Sequence, residues 1–372
     1  MDMKKSKLVI ALGLFILTFV VVGFFVFAKN EVNEISEIKS QTVDILAPQK
    51  IEESLKHKLA TSTETAVSLI AVGDVMLSRT VAKKIKDNKD VNYPFFKMKD
   101  YLASADLVFA NQETPITPGP IVPSGSMVFH ADPGVEKALK NNNFSIVSLA
   151  NNHTPNYGQK GLLDTFKYLQ SVDIKYTGAE ENEQKTNQPV IIEEKGLKIA
   201  FLAFNDRDVV PSSYGAGINR AGTALMDVGK MTDAVKKARL QADLVIVSMH
   251  SGNEYTEIIN SSQSVFAHAA IDAGAELVIG HHPHVVQRIE KYQGKYIFYS
   301  LGNFVFDQMW SEDTRQGIAV KIYLGKEGMK KAEITPIIIE NYSQPNILSG
   351  DKANKVLKRL KVTGDEKIIF KN

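Results

Sequence analysis

Three imidazoles fall within four residues at Gly280-His281-His282-Pro283-His284, in a chain of 372 residues that has only 8 histidines. A neutral imidazole nitrogen is the commonest protein ligand of divalent cations. The run Ala275-Glu276-Leu277-Val278-Ile279 ahead of it reads as a buried strand. The histidines therefore stand where a strand gives way to a loop, a usual place for binding residues in open α/β sheets. Four other apolar runs end similarly: Ala66 to Val72 leads to Gly73-Asp74, Leu107 to Ala110 leads to Asn111 and Glu113, Phe144 to Ala150 leads to Asn151-Asn152-His153, and Leu244 to Met249 leads to His250. Each ending alone has a plain reading, because strand-end Asp and Asn residues cap helices and close turns. Parallel strands, however, bring their carboxyl ends to one edge, so the five endings converge on one crevice. The candidate metal ligands are Asp74, Glu113, Asn152, His250, His281, His282 and His284. Carboxylate, amide oxygen and imidazole together suit one or two ions of Mn, Fe or Zn, whereas Ca or Mg favours an all-oxygen set.

The elements that must position these groups alternate. Helical patterns near 78–89, 159–171, 227–241 and 261–273 lie between the strands, which argues for an α/β sheet of mostly parallel order. Residues 189–204 and 286–300 read as hairpins turning at Lys195-Gly196 and Gln293-Gly294, and 317–339 alternates strands again, so the sheets are mixed. An amphipathic helix over 351–361 is expected to pack on the outside.

With no cysteine, the chain forms no disulfide, has no thiolate nucleophile and no Cys-ligated zinc. A net charge of +2 with no basic patch interleaved with aromatics gives no argument for nucleic acid. Leu8 to Ala28 carries no charge and, at ~1.5 Å per residue, spans roughly the ~30 Å hydrocarbon core as one transmembrane helix. Lys4, Lys5 and Lys7 precede it, which keeps the N-terminus cytoplasmic and places the rest outside as a single-pass cell-membrane protein. The competing reading is a cleaved signal peptide, since Val26-Phe27-Ala28 resembles a cleavage site, but the apolar run exceeds the ~7–15 residues of a signal h-region. The expected organisation is a cytoplasmic tip and anchor (1–29), a polar stalk (30–66, with a short helix at Ile51 to Leu59), a folded domain (67–345) and a helical C-terminal tail (346–372).

Six ordered motifs then carry a resemblance: Gly73-Asp74-Val75-Met76-Leu77-Ser78-Arg79, Ala110-Asn111-Gln112-Glu113, Leu149-Ala150-Asn151-Asn152-His153, His250-Ser251-Gly252-Asn253-Glu254-Tyr255, Gly280-His281-His282-Pro283-His284-Val285-Val286-Gln287, and Tyr299-Ser300-Leu301-Gly302-Asn303-Phe304-Val305-Phe306-Asp307. They resemble the CapA family of poly-γ-glutamate capsule biosynthesis proteins (PgsA-like) over residues 67–345. That family is similar to the calcineurin-like metallophosphoesterases, which implies a four-layer α/β/β/α sandwich. The resemblance implies that Asp74 is the first metal-binding aspartate, Glu113 the bridge between two metals, Asn152 the amide ligand and His153 the residue that protonates or polarises the leaving group. It makes His250 the lone histidine of a later strand and gives His282 and His284 the His-x-His spacing of the last motif, while His281 has that motif's Gly-His adjacency. The Asp-x-His start of the phosphoesterases is Asp74-Val75-Met76 here, which would leave one metal under-coordinated. Gln112, Ser251 and Asn156 depart from the family pattern at the pocket wall.

Arg79 could contact an anionic substrate, since a guanidinium binds phosphate or carboxylate bidentately, or could be a solvated helix charge. Asn303 could present substrate-binding groups, or Gly302-Asn303 could simply be a tight turn. Glu254 and Tyr255 are expected beside His250. Trp310 is expected in the core rather than over the site, His130 and His268 in structural roles, and His57 on the stalk. The resemblance implies a metal-dependent hydrolase or transferase acting on an anionic envelope polymer, poly-γ-glutamate. The alternatives are a non-catalytic accessory subunit that binds polymer or a membrane-bound synthase, and a general phosphoesterase.

Overall fold

The computed structural model describes residues 66–362 and 364–371. The expected anchor Leu8 to Ala28, the stalk as far as residue 65 and His57 lie outside the described residues. Among the described residues no helix is long and apolar enough to cross a membrane.

Strand and helix alternate through the first third of the domain. Strands β1 (Val67–Val75), β2 (Leu107–Gln112), β3 (Phe144–Ser148) and β4 (Lys175–Thr177) run parallel, with helices Arg79–Asn88, Val135–Asn141 and Gly158–Ser171 between them. After the short β5 (Ala179–Glu180), the hairpin β6 (Val190–Glu194) and β7 (Leu197–Asn205) begins a second sheet, and β8 (Gly222–Thr223) returns to pair with β5. Helix Val228–Arg239, β9 (Leu244–His250), helix Ser261–Asp272 and β10 (Leu277–His281) continue that second sheet in parallel. A hairpin of β11 (Ile289–Tyr292) and β12 (Lys295–Phe298) closes its edge. Strands β13 (Asn303–Val305), β14 (Gln316–Gly325), β15 (Gly328–Glu340) and β16 (Gln344–Ile347) go back to the first sheet. Helix Gly350–Arg359 follows, and then β17 (Ile368–Phe370), which the sequence pattern did not signal and which pairs in parallel with β15.

The first sheet has the order β16-β15-β14-β1-β2-β3-β4, with β13 beside β1 and β17 beside β15; the second has the order β11-β12-β10-β9-β7-β6. Both expected hairpins form. Their turns carry positive φ at both central residues, Lys195 (50°) and Gly196 (77°), Gln293 (48°) and Gly294 (77°), the condition for a turn whose twist matches the strands.

Three apolar clusters define four layers. Alternation on β1, β2 and β14 sends Leu69, Phe109 and Val320 towards Phe201, Ile246 and Ile279 of the second sheet, and these close a core between the sheets. Phe109 stacks on Phe201 across that gap with ring centroids 5.9 Å apart. The opposite face of the first sheet (Ile70, Val108, Val147) is covered by Val81, Leu139, Leu162 and Phe166 of its helices. The opposite face of the second sheet (Leu202, Val247, Val278) is covered by Met231, Val235, Phe266 and Ala270. Helix, sheet, sheet, helix is therefore the observed order, as the expected sandwich requires. Each large side chain so buried contributes ~1.5–3 kcal/mol over leaving it exposed. The helix at Gly350–Arg359 lays Ala353, Val356 and Leu357 onto the edge of the central core.

One irregularity aims the site. β1 faces β2 at Leu69–Leu107 and Ala71–Phe109, yet Asp74 faces Asn111, so β1 carries one extra residue in that interval. Such a bulge re-aims the side chains beyond it, and it turns Asp74 rather than Gly73 towards the second sheet. Gly73 is obligatory at this point, because a Cβ there would lie 1.8 Å from the carbonyl oxygen of Gly302.

Candidate metal centre

The register across each sheet builds two facing rows at the carboxyl ends of the strands. In the first sheet Asn303 of β13 lies opposite Asp74, Asp74 opposite Asn111, and Asn111 opposite Ser148. In the second, Asn205, His250 and His281 are neighbours in register. Polar residues end these apolar strands because the central core stops there and the two sheets enclose a pocket.

Asn111 organises the carboxylates. Its Nδ2 donates to Asp74 Oδ1 (2.8 Å) and Glu113 Oε2 (3.1 Å) and lies 3.3 Å from His250 Nδ1. Asn151 Nδ2 in turn donates to Asn111 Oδ1 (3.0 Å), which fixes the orientation of that amide. Across the pocket His281 Nδ1 lies 3.3 Å from Asp74 Oδ1, and His284 Nδ1 lies 3.3 Å from Asp74 Oδ2. His250 Nε2 lies 3.0 Å from Asn152 Oδ1, and its ring centroid is 4.7 Å from that of His282. His282 and His284 sit at φ of 98° and 58°, a left-handed backbone that non-glycine residues adopt at a cost of order 1–3 kcal/mol and that clusters at functional sites.

Burial of this many polar groups demands partners, and several have none. Asp74 Oδ2, Glu113 Oε1, both ring nitrogens of His281 and Nδ1 of His282 are buried without a hydrogen bond to any described residue. Two triads of donors are each gathered within 4.8 Å: Asp74, Glu113 and His250, and Glu254, His282 and His284. Orphaned carboxylate and imidazole donors packed this closely are what a divalent cation satisfies.

The charge states follow from the packing. Burial works against ionising Asp74, but the close His281 and His284 outweigh it and hold the carboxyl well below its usual range. Burial, with the Asp74 and Glu254 charges beside it, pushes Glu113 well above its usual range. Burial pushes His153 down to about 4, His282 down to about 3, and His250 well below its ordinary value. These rings are neutral at pH 7, the form that ligates. His284 is the exception: burial opposes its charge, but Asp74, Glu254 and Asn303 hold it above its usual value.

His153 is held differently. Its ring stacks on Phe129 at 3.9 Å, and its Nδ1 lies 3.0 Å from Asn156 Oδ1. That oxygen also accepts from Phe129 N (2.8 Å), so it is the acceptor and the His153 proton resides on Nδ1. Nε2 then presents its lone pair to the pocket, 3.9 Å from Glu113 Oε1. Asn156 thus holds the imidazole that faces the carboxylates.

Both residues expected as substrate contacts are bonded within the protein, although Arg79 Nε is buried without a hydrogen-bond partner among the described residues. Arg79 is buried at 8 % exposure, ion-paired with Asp307, hydrogen-bonded from Nη1 to Ser126 O (2.9 Å) and laid over Phe129 with its guanidinium carbon 4.6 Å from the ring centre. Asn303 is buried; Nδ2 donates to Gln308 Oε1 (3.1 Å) and Thr314 O (2.9 Å), and Oδ1 accepts from His284 Nδ1 (2.9 Å). Met76, at the position where the resemblance implies a ligand, turns into the outer core, and its sulfur accepts from Ser78 N (3.1 Å). Gln112 bonds to Thr114 through Nε2, and Ser251 Oγ donates to Asp206. The core placement expected for Trp310 is not observed: it is 65 % exposed and meets Tyr255 edge to face at 4.8 Å. His130 is buried between the carbonyls of Thr117 and Pro120, and His268 pairs with Glu290 at 2.9 Å; both are structural, as expected.

Asn111 and Glu254 were not in the expected ligand set. Asn111 reads as an ordinary strand end, and Glu254 as a loop charge; their position in the two motifs was the only available signal.

Comparison with known proteins adds a lineage. A family model described as "Bacterial capsule synthesis protein PGA_cap" matches residues 68–308. The chain is 32% identical over 332 residues to "Capsule biosynthesis protein CapA" of Bacillus anthracis, covering 86% of this chain and 76% of that one. It is 32% identical over 317 residues to "PGA biosynthesis protein CapA" of Bacillus subtilis (strain 168), covering 84% and 82%. A "Probable polyglutamine synthesis accessory protein" of Mycobacterium tuberculosis (strain CDC 1551 / Oshkosh) is 27% identical over 277 residues, covering 71% and 73%.

Proposed function

The chain belongs to the bacterial capsule synthesis protein family PGA_cap, and on that premise we propose that it is a metal-dependent hydrolase or transferase acting on an anionic envelope polymer, poly-γ-glutamate. The observation that carries this reading is the set of orphaned donors: Asp74 Oδ2, Glu113 Oε1, His281 and His282 Nδ1, all buried at the ends of strands from both sheets. Asp74, Glu113, Asn152, His250, His282 and His284 would hold one or two ions of Mn, Fe or Zn, with His281 backing Asp74. When bound, such an ion lowers the pKa of water and polarises an acyl or phosphoryl oxygen.

The chain's own residues supply the rest. Asn111 fixes the two carboxylates, and Asn303 fixes the ring of His284. His153 keeps Nε2 free of protein hydrogens, so it takes a proton from water and returns it to a leaving amine. The stacked Phe129 and the Asn156 bond prevent that ring from turning away. Arg79 and Asp307 tie the segment at Ser126 to the helix behind the pocket, so Arg79 acts by holding the wall.

In this reading Leu8 to Ala28 tethers the domain to the cell membrane on the extracytoplasmic side, within reach of growing polymer and of membrane-bound synthase subunits. A second reading, a non-catalytic subunit that binds polymer, is favoured by one observation: the mycobacterial relative is named an accessory protein.

The test uses the full-length chain loaded in turn with Mn, Fe and Zn and mixed with poly-γ-glutamate. The catalytic reading expects polymer shortening on size-exclusion chromatography, abolished by chelation and in His282→Ala. An inert loaded protein, together with His282→Ala cells that still produce polymer, would establish the accessory role instead.

A further inference from the structure

We propose that Glu254 completes a second, outer cation position with His282 and His284, separable from the inner one at Asp74, Glu113 and His250. The inference rests on the metal-binding reading of the pocket and adds a ligand and a division of labour to it.

The two triads share no residue, and each gathers its donors within 4.8 Å; they adjoin, with Glu113 Oε1 of the inner triad 3.8 Å from His284 Nε2 of the outer. Glu254 Oε1 lies 3.9 Å from His284 Nε2. That is too long for a hydrogen bond, yet within the ~3–4 Å that separates two donors bonded at ~2.1 Å to one ion. The Asn303 bond keeps one His284 proton on Nδ1, so Nε2 is the nitrogen that would give up its proton and turn a lone pair to a cation beside Glu254.

The backbone delivers the carboxylate to this point. After β9 the chain turns at Gly252 (φ 118°) and Tyr255 (φ 62°), on either side of Glu254. Ser251 N donates to His281 O (3.1 Å) and Tyr255 N to Pro283 O (2.9 Å). Those two bonds lace the 251–255 loop to the 281–284 turn, so Glu254 and the two histidines form one unit. A Cβ at Gly252 would lie 2.7 Å from the Gln263 side chain, which explains the glycine there. Tyr255 closes the unit from outside, its ring stacked 5.9 Å from that of His284.

The two positions differ in access. Asp74, Glu113 and His250 are at 0–1 % exposure, whereas the Glu254 side chain is at 30 %. The outer ion is the one that solvent and an anionic substrate reach first, and it exchanges faster than the inner one.

The test is titration of the full-length chain with Mn2+, following the free ion by electron paramagnetic resonance. The wild type is expected to bind one ion tightly and a second more weakly. Loss of a residue that only orients a ligand costs about 10–100-fold in affinity, so Glu254→Gln should weaken the second class by at least ~10-fold and leave the tight class unchanged, while Glu254→His restores both. Circular dichroism of each variant checks that the fold is retained. Two undisturbed classes in Glu254→Gln, or a single class in the wild type, would overturn the proposal and leave the metal reading intact. No binding by the wild type would remove the metal reading itself.

Discussion

Asn303 accepts a hydrogen bond from His284 at 2.9 Å, and that bond reaches from β13 to the last of the clustered histidines. It sets the ring tautomer and aims Nε2 into the pocket. Partners of this kind govern metal affinity almost as strongly as the ligands they orient. Asn303→Ala should therefore weaken Mn2+ binding by about 10–100-fold in isothermal titration, with the circular dichroism spectrum retained. Unchanged affinity would mean that another contact holds the ring.

Glu113 sets binding against stability. Its Oε1 is buried without a hydrogen bond, and Asp74 adds like charge beside it. Removing an unpaired buried carboxylate relieves that cost. In the metal-free protein Glu113→Gln should gain ~1–2 kcal/mol, raising Tm by a few degrees, while losing Mn2+ affinity. A lower Tm in the metal-free state would show that the carboxylate is compensated in some other way.

The Arg79–Asp307 pair distinguishes wall-building from substrate contact. Both side chains are buried, at 8% and 4% exposure, and breaking such a pair by removing one partner costs ~3–5 kcal/mol. Asp307→Asn should lower the urea midpoint accordingly. A substrate-contacting arginine would instead give an Arg79→Lys protein of normal stability and raised KM.

Acid sensitivity should trace in part to Asp106, remote from the pocket. Its carboxylate accepts from Ser68 N (2.8 Å), Ser68 Oγ (2.8 Å) and Lys195 Nζ (2.6 Å). Burial works against its ionisation, but these bonds outweigh it and lower its pKa. The stability it contributes is therefore fully present above the unfolded carboxyl's ~3.9 and lost as pH falls through the lower folded value. Asp106→Asn should be less stable than the wild type at pH 7, and the Tm gap should close as pH falls below about 4. A gap that does not change with pH would assign the effect to geometry rather than charge.

Much of the site was legible because each donor follows an apolar strand. His250 and His281 are the last residues of β9 and β10, and Asp74 lies near the end of β1. The parallel order followed from alternating strands and helices, and the four layers from the family resemblance alone. Other features depend on distant partners that no local pattern displays. Arg79 looked free because Asp307 lies far along the chain. The bulge that aims Asp74 shows in the sequence only as Gly73. Asn111 becomes an organiser only once β1 and β2 pair in a shifted register. β17 is too short for a periodic signal, and Trp310 lies outward although Phe304 and Phe306 before it are buried.

The most direct test of the central claim is anomalous scattering from crystals of the protein grown with Mn2+. The account predicts a peak bounded by Asp74, Glu113 and His250, absent from crystals of Asp74→Ala. A well-ordered pocket with no peak at saturating Mn2+, and none with Fe or Zn, would contradict it.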